Sequence, residues 1–150
     1  LSLVGSEMCI RDRYTERMKL FFSALVATGT VMLVLDALWL GLVAPAFYRG
    51  QIGHLLKSSF SIAPAVLFYL IYAAAITFLI VVPAVRAGSL SQALITGAVF
   101  GFAAYATYDL TNQATLRDWP VIVTIVDLAW GTFLTTVSAG VATYLIQRFY

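Results

Sequence analysis

Residues 121–147 read VIVTIVDLAWGTFLTTVSAGVATYLIQ. Across these 27 residues only Asp127 is charged, and no period-two alternation appears. A helix needs roughly 20 apolar residues to cross the hydrocarbon core of a bilayer, whereas barrel strands alternate over about ten. The stretch therefore predicts a membrane-spanning helix. Working outward, three earlier runs of the same kind cover about 20–47, 61–85 and 92–116. Pro64 falls in the first turn of its run and Pro83 near the end, both tolerable places for a residue that donates no backbone hydrogen bond.

The composition agrees. Of 150 residues, 61% are hydrophobic and 11% charged, with a mean hydropathy of +0.92. A soluble domain usually carries about 25% charged residues. The formal net charge of +2 is small and scattered, which argues against nucleic acid as a partner and leaves membrane lipids. Between the runs lie a polar loop at 48–60 (YRGQIGHLLKSSF), a turn at 86–91 containing Gly88, and a turn at 117–120 (RDWP). Connections this short make neighbouring helices antiparallel. The expected fold is all-α: an integral membrane four-helix bundle with up-down-up-down topology.

Both chain ends then share one side, here called side A, with Lys19, Arg86, Arg148 and Arg17. Side B carries Arg49, Lys57 and Arg117. The positive-inside rule is nearly balanced, and the expectation is termini in the cytoplasm of a bacterial inner-membrane protein. In the third run, Gly97 and Gly101 form a GxxxG with Ala93, Ala98 and Ala104 nearby. Small residues let helix backbones approach closely, either within one bundle or in a homo-oligomer.

The head of the chain, residues 1–13 (LSLVGSEMCIRDR), resembles a translated transposase sequencing adapter. Cys9-Ile10-Arg11-Asp12 is encodable by TGT-ATA-AGA-GAC followed by AG. The reverse complement of AAGAGACAG reads CTG-TCT-CTT, which encodes Leu1-Ser2-Leu3. Two ends of one segment being inverted copies of one DNA element points away from a native tail. The expectation is a non-native segment over 1–17 and a single domain over 18–150, opening at Met18. Cys9 is the sole cysteine, so disulfide, thiolate and cysteine-metal chemistry leave the natural protein with it. The first run is also too long for a cleaved signal peptide, with Asp36 inside it.

Three acids sit inside the apolar runs: Asp36, Asp109 and Asp127. Carboxyl groups at such depth usually face the bundle interior and have a partner or a task. Asp36 lies eleven residues before Phe47, Asp109 eight before Arg117 and Asp127 seven after Pro120. At 1.5 Å per residue that places all three roughly 10–17 Å from side B, in the same half of the bilayer. Asp36-x-x-Trp39 and Asp127-x-x-Trp130 repeat one pattern, each followed closely by glycine. Spacing of i, i+3 puts acid and indole on one helix face, where the indole N–H can donate to the carboxylate. Tyr105, Tyr108, Asp109 and Asn112 share a face of the third run, with Tyr69 at a comparable depth in the second. Above them the loop offers Arg49 and His54, and Tyr48 and Trp119 suit interface anchoring.

Together Asp36, Trp39, Tyr69, Tyr105, Tyr108, Asp109, Asn112, Asp127, Trp130, Arg49 and His54 form the candidate ligand-binding set. Three readings stand: a lipid or small-molecule site, an enzyme using paired carboxylates from among Asp109, Asp127 and Asp36, or a hydrogen-bond network that fixes helix register. Whether the protein is an enzyme is left open. HxxxH and ExxH spacings are absent, so no metal is expected, and no haem, nucleotide or redox cofactor either.

The segments DALWLG, FYRGQIGHLL, YATYDLTNQATLRDWP and VDLAWGT resemble the hallmarks of domain of unknown function family 2177, small bacterial membrane proteins. The resemblance runs from about Met18 to Tyr144. Its motif positions are Asp36, Trp39, Tyr48, Arg49, His54, Tyr108, Asp109, Asn112, Trp119, Asp127 and Trp130. It implies a multi-pass inner-membrane protein and carries no assigned activity.

Overall fold

The structure is a computed structural model that describes the backbone of residues 3–150 and the side chains of residues 11–150. Leu1, Ser2 and the side chains up to residue 10, among them Cys9 and most of the adapter-like head, lie outside the described residues. The elements are α1 (Leu3–Leu42), α2 (Ala44–Ile52), a 3-10 turn (Gly53–Leu55), α3 (Ile62–Ile76), a π turn (Thr77–Val81), α4 (Val82–Ala87), α5 (Leu90–Thr115) and α6 (Val121–Phe149). The segment Ile62–Ala87 is one continuous rod. With α1, α5 and α6 it gives four helices long and apolar enough to cross a membrane.

The first run departs from expectation. Its helix stops at Leu42 instead of about Phe47, and a second helix, α2, starts at Ala44. Pro45 sits in the first turn of α2. A proline has no N–H to continue the preceding ladder, and its ring crowds the carbonyl four residues back. The break is local to Val43, and the chain resumes as a short helix that carries Tyr48 and Arg49. Residues 48–52 of the expected polar loop are therefore helical. At the other end α1 extends well upstream of Leu20. Its 40 residues span about 60 Å, twice the hydrocarbon thickness, so the upstream part projects beyond side A.

In the second span the π turn has a visible cause. Val82 N–H bonds to the Thr77 carbonyl, five residues back, and Pro83 follows at once. The widened turn absorbs the proline's missing donor without ending the rod. Gly88 then closes α4 in the left-handed conformation, φ 62°. Ser89 N–H reaches the Ala84 carbonyl at 3.0 Å, and the Ser89 hydroxyl accepts from Gln92 N–H at 3.2 Å to cap α5. The tight turn makes α5 antiparallel to the rod before it.

The centre of the bundle is α6. It packs along α5 most extensively and along α1 next, while the second span closes the ring between α1 and α5. Tyr150 O–H donates to the Glu16 carbonyl at 3.2 Å, so the C-terminal end of α6 meets α1 on side A. A core of Met32, Ile76, Val81, Leu134 and Ala139 fills the middle. Most large apolar side chains, such as Phe78, Ile95 and Val99, point outward. In water that surface would be a liability, and in lipid it is the solvent-facing side.

Close α5–α6 packing rests on glycines. A Cβ at Gly97 would lie 3.2 Å from the Thr136 backbone, and one at Gly101 would lie 2.7 Å from Thr135. A Cβ at Gly131 would overlap the ring of Tyr105. The GxxxG stripe is thus used inside the bundle, and a homo-oligomer would need another face. Gly131→Ala should destabilise the protein by roughly 1–3 kcal/mol through overpacking, with partial rescue by Tyr105→Leu. Gly41→Ala, where an added Cβ meets nothing within 4 Å, is the neutral control. Unfolding in detergent measures this; equal stability of both single variants would refute the close packing.

Candidate functional site

The three intramembrane acids occupy equivalent depths. Asp36 lies six residues before the end of α1, Asp109 six before the end of α5, and Asp127 six after the start of α6. Each is therefore about 9 Å inside its helix end on side B. All three are buried: Asp109 is 0% exposed, Asp36 6% and Asp127 8%. They fall into two adjoining groups.

In the first group, Trp130 Nε1–H donates to Asp36 Oδ1 at 3.2 Å. The Trp39 ring stacks on the Trp130 ring, with centroids 4.4 Å apart and planes 11° from parallel. Tyr69 also reaches towards Asp36 from α3. The expected bond within one D-x-x-W segment is replaced here by one between helices. The reason is direction. With α1 and α6 antiparallel, an acid in one helix is level with a residue three positions later in the other. Asp36 therefore meets Trp130, while Asp127 lies level with Trp39.

The second group is built on Asp127 and Asp109. Tyr48 O–H donates to Asp127 Oδ1, which ties α2 to α6. Asp109 faces Asp127 across the α5–α6 interface, close enough for the two carboxyls to interact. Among the described residues, neither Asp109 oxygen receives a hydrogen bond by strict geometry. A carboxyl group wholly out of solvent is costly to ionise, and the Asp127 carboxyl is its nearest polar partner. Tyr105, half-buried against Gly131, lies between the two groups. Among the described residues no three acid, histidine or cysteine side chains converge closely enough to hold a metal ion. Asp36 accordingly stands apart from the Asp109–Asp127 pair.

A cavity of about 450 Å³ opens on side B beside Asp127. Its polar lining includes Tyr48, Arg49, Tyr108, Trp119 and Asp127, and Ile52, Leu56 and Phe60 give it apolar walls. Asp118 adopts φ 59°, a left-handed turn position that an aspartate tolerates. The next residue, Trp119, folds back so that its Nε1–H donates to Thr124 Oγ1 at 3.1 Å. Its ring meets the edge of Tyr108, centroids 6.1 Å apart.

Comparison with known proteins agrees with this architecture. Residues 21–144 match the family described as "Predicted membrane protein (DUF2177)". The chain belongs to that family. No curated protein and no solved structure matches it. The DUF2177 match spans all three intramembrane acids, the α2 helix and the whole cavity.

Of the residues singled out in this DUF2177 chain, Asp127, Tyr108 and Arg49 line the cavity, and Asp109 lies behind Asp127. Asp36, Trp39, Trp130 and Tyr69 form the neighbouring polar cluster. His54 is exposed in the 3-10 turn and does not line the cavity, nor does the half-buried Asn112. Tyr108 and Asp109 sit at opposite edges of the supposed shared face, because adjacent residues are about 100° apart on a helix. That is why one is exposed and the other buried. Tyr48, which by sequence suits an interface anchor, bonds instead to Asp127. The available signal was Pro45, which breaks α1 and turns the tyrosine inward.

Trp130→Phe keeps an aromatic ring for stacking but removes the donor to Asp36. A loss of roughly 0.5–1.5 kcal/mol is expected, and a smaller one in an Asp36→Leu background. A double-mutant cycle in mixed micelles measures the coupling; strictly additive losses would remove the interhelical bond from the account.

Proposed function

We propose that this protein binds an amphiphilic small molecule or lipid in the side-B cavity. The observation that carries the reading is a cavity of about 450 Å³ with apolar walls and a carboxyl floor, opening where the bundle meets the membrane surface. Sites for small ligands are mostly apolar concavities with a few placed polar groups, commonly between the helices of a bundle. Asp127 is the placed acid, and Asp109 lies beside it across the α5–α6 interface.

The setting we infer is a bacterial inner membrane with side A towards the cytoplasm, where Arg86, Arg148 and Lys19 lie. The cavity then belongs to the outer leaflet. A second reading draws on the same pair of acids. Two neighbouring carboxyl groups can divide acid and base roles, which is the minimum for a membrane-embedded hydrolytic or transfer enzyme.

Mass spectrometry of the purified protein separates the readings. A specific molecule that accompanies the wild type and is depleted in Asp127→Asn is the expected result. A molecule that instead accumulates on Asp109→Asn favours turnover. Identical lipid profiles in wild type and both variants would sink the binding-site reading and leave a structural network.

A further inference from the structure

The side-B cavity combines features that select the charge of its occupant. We propose that it takes an organic cation: the ammonium group of an amphiphile, seated among the Tyr48, Tyr108 and Trp119 rings against the Asp127 carboxyl. The inference rests on the cavity being a binding site and adds the class of what enters it.

Four aromatic side chains, Tyr48, Phe60, Tyr108 and Trp119, and one acid line a single concavity. Aromatic faces carry negative potential and attract ammonium groups, most strongly where water is thin. Tyr108 and Trp119 meet edge to face, an arrangement that leaves one ring's face open to a third group. Asp127 is buried at the base, where a carboxyl group retains more of its attraction for a cation than it would in water. Asp109 adds a second acid beside it, across the α5–α6 interface. The remaining lining, from Leu40 through Ile52 and Leu56 to Phe60, suits an alkyl chain.

Arg49 also lines the cavity, and its place matters. It is exposed, whereas Asp127 is buried. From mouth to floor the order is positive, then negative. A ligand entering ammonium-first satisfies the floor, and an anionic group further along it would remain with Arg49. Alkylammonium compounds and zwitterionic lipid headgroups share that ammonium chemistry.

The test uses the full chain in dodecyl maltoside and follows tryptophan fluorescence. The probes are hexyltrimethylammonium, hexyl glucoside, hexyl sulfate and hexylphosphocholine. Hexyltrimethylammonium should bind saturably and at least about tenfold more tightly than hexyl glucoside, with roughly tenfold weakening in Asp127→Asn. Tyr108→Leu, at an exposed position, should weaken the cation several-fold more than the glucoside. Hexylphosphocholine binding more tightly still, with the gain lost in Arg49→Gln, supports the site and identifies a zwitterionic headgroup. Equal binding of the two ammonium probes supports it and identifies a simple alkylammonium.

Saturable binding of the glucoside at least as tight as that of the cation, and weakened by Tyr108→Leu, would overturn the charge assignment and spare the binding site. Preference for hexyl sulfate, lost in Arg49→Gln, would overturn it in favour of an anion site. No saturable binding of any probe would overturn both.

Discussion

A carboxyl group in hydrocarbon has to find its hydrogen bonds inside the protein, because lipid offers none. Three such groups at one depth dictate much of how this bundle is arranged. Asp36 draws α6 against α1 through Trp130, and Asp127 draws α2 inward through Tyr48. Asp109 and Asp127 meet where α5 and α6 are pressed together by Gly97, Gly101 and Gly131. The glycines do the steric part and the acids do the polar part. Hydrophobic attraction contributes little to helix association here, since lipid tails are as apolar as the helix surfaces.

That division of labour explains why the motif glycine follows the tryptophan in α6. Trp130 supplies the donor to Asp36, and the next residue must be small because the Tyr105 ring lies on it. In α1 the corresponding Gly41 is free of close neighbours. Two segments that look alike in sequence thus do different work: one is wedged at the centre of the bundle, the other near its rim. Likeness of D-x-x-W patterns reflects a shared pairing rule across antiparallel helices, an acid level with an indole, more than a shared local structure.

Much of the architecture was legible from the chain alone. Apolar runs reveal spans because transfer into lipid acts on composition, and the four runs correspond to four spanning helices. The turn at Gly88 was legible because glycine is needed where φ is positive. The common depth of the acids could be counted residue by residue. The break at Val43 was not, since APAF is as hydrophobic as an unbroken helix and hydropathy does not register a lost donor. Partner choice was equally hidden: Trp130 lies three residues from Asp127 in sequence, yet serves Asp36 ninety-four residues away. Tyr48 needed both facts, the break and the neighbour, before its role in the candidate site appeared.

The acids also give the bundle an unequal top and bottom. Every intramembrane carboxyl group stands six residues from side B, while among the described residues the polar groups buried in the side-A half of the core are hydroxyls such as those of Thr28, Ser138 and Thr143. An inverted copy of this protein would pack just as well, because lipid is the same from either side. It would, however, offer its cavity to the opposite compartment. With nearly matched basic residues at the two faces, biosynthetic insertion has to distinguish two orientations that differ little in packing and greatly in chemistry.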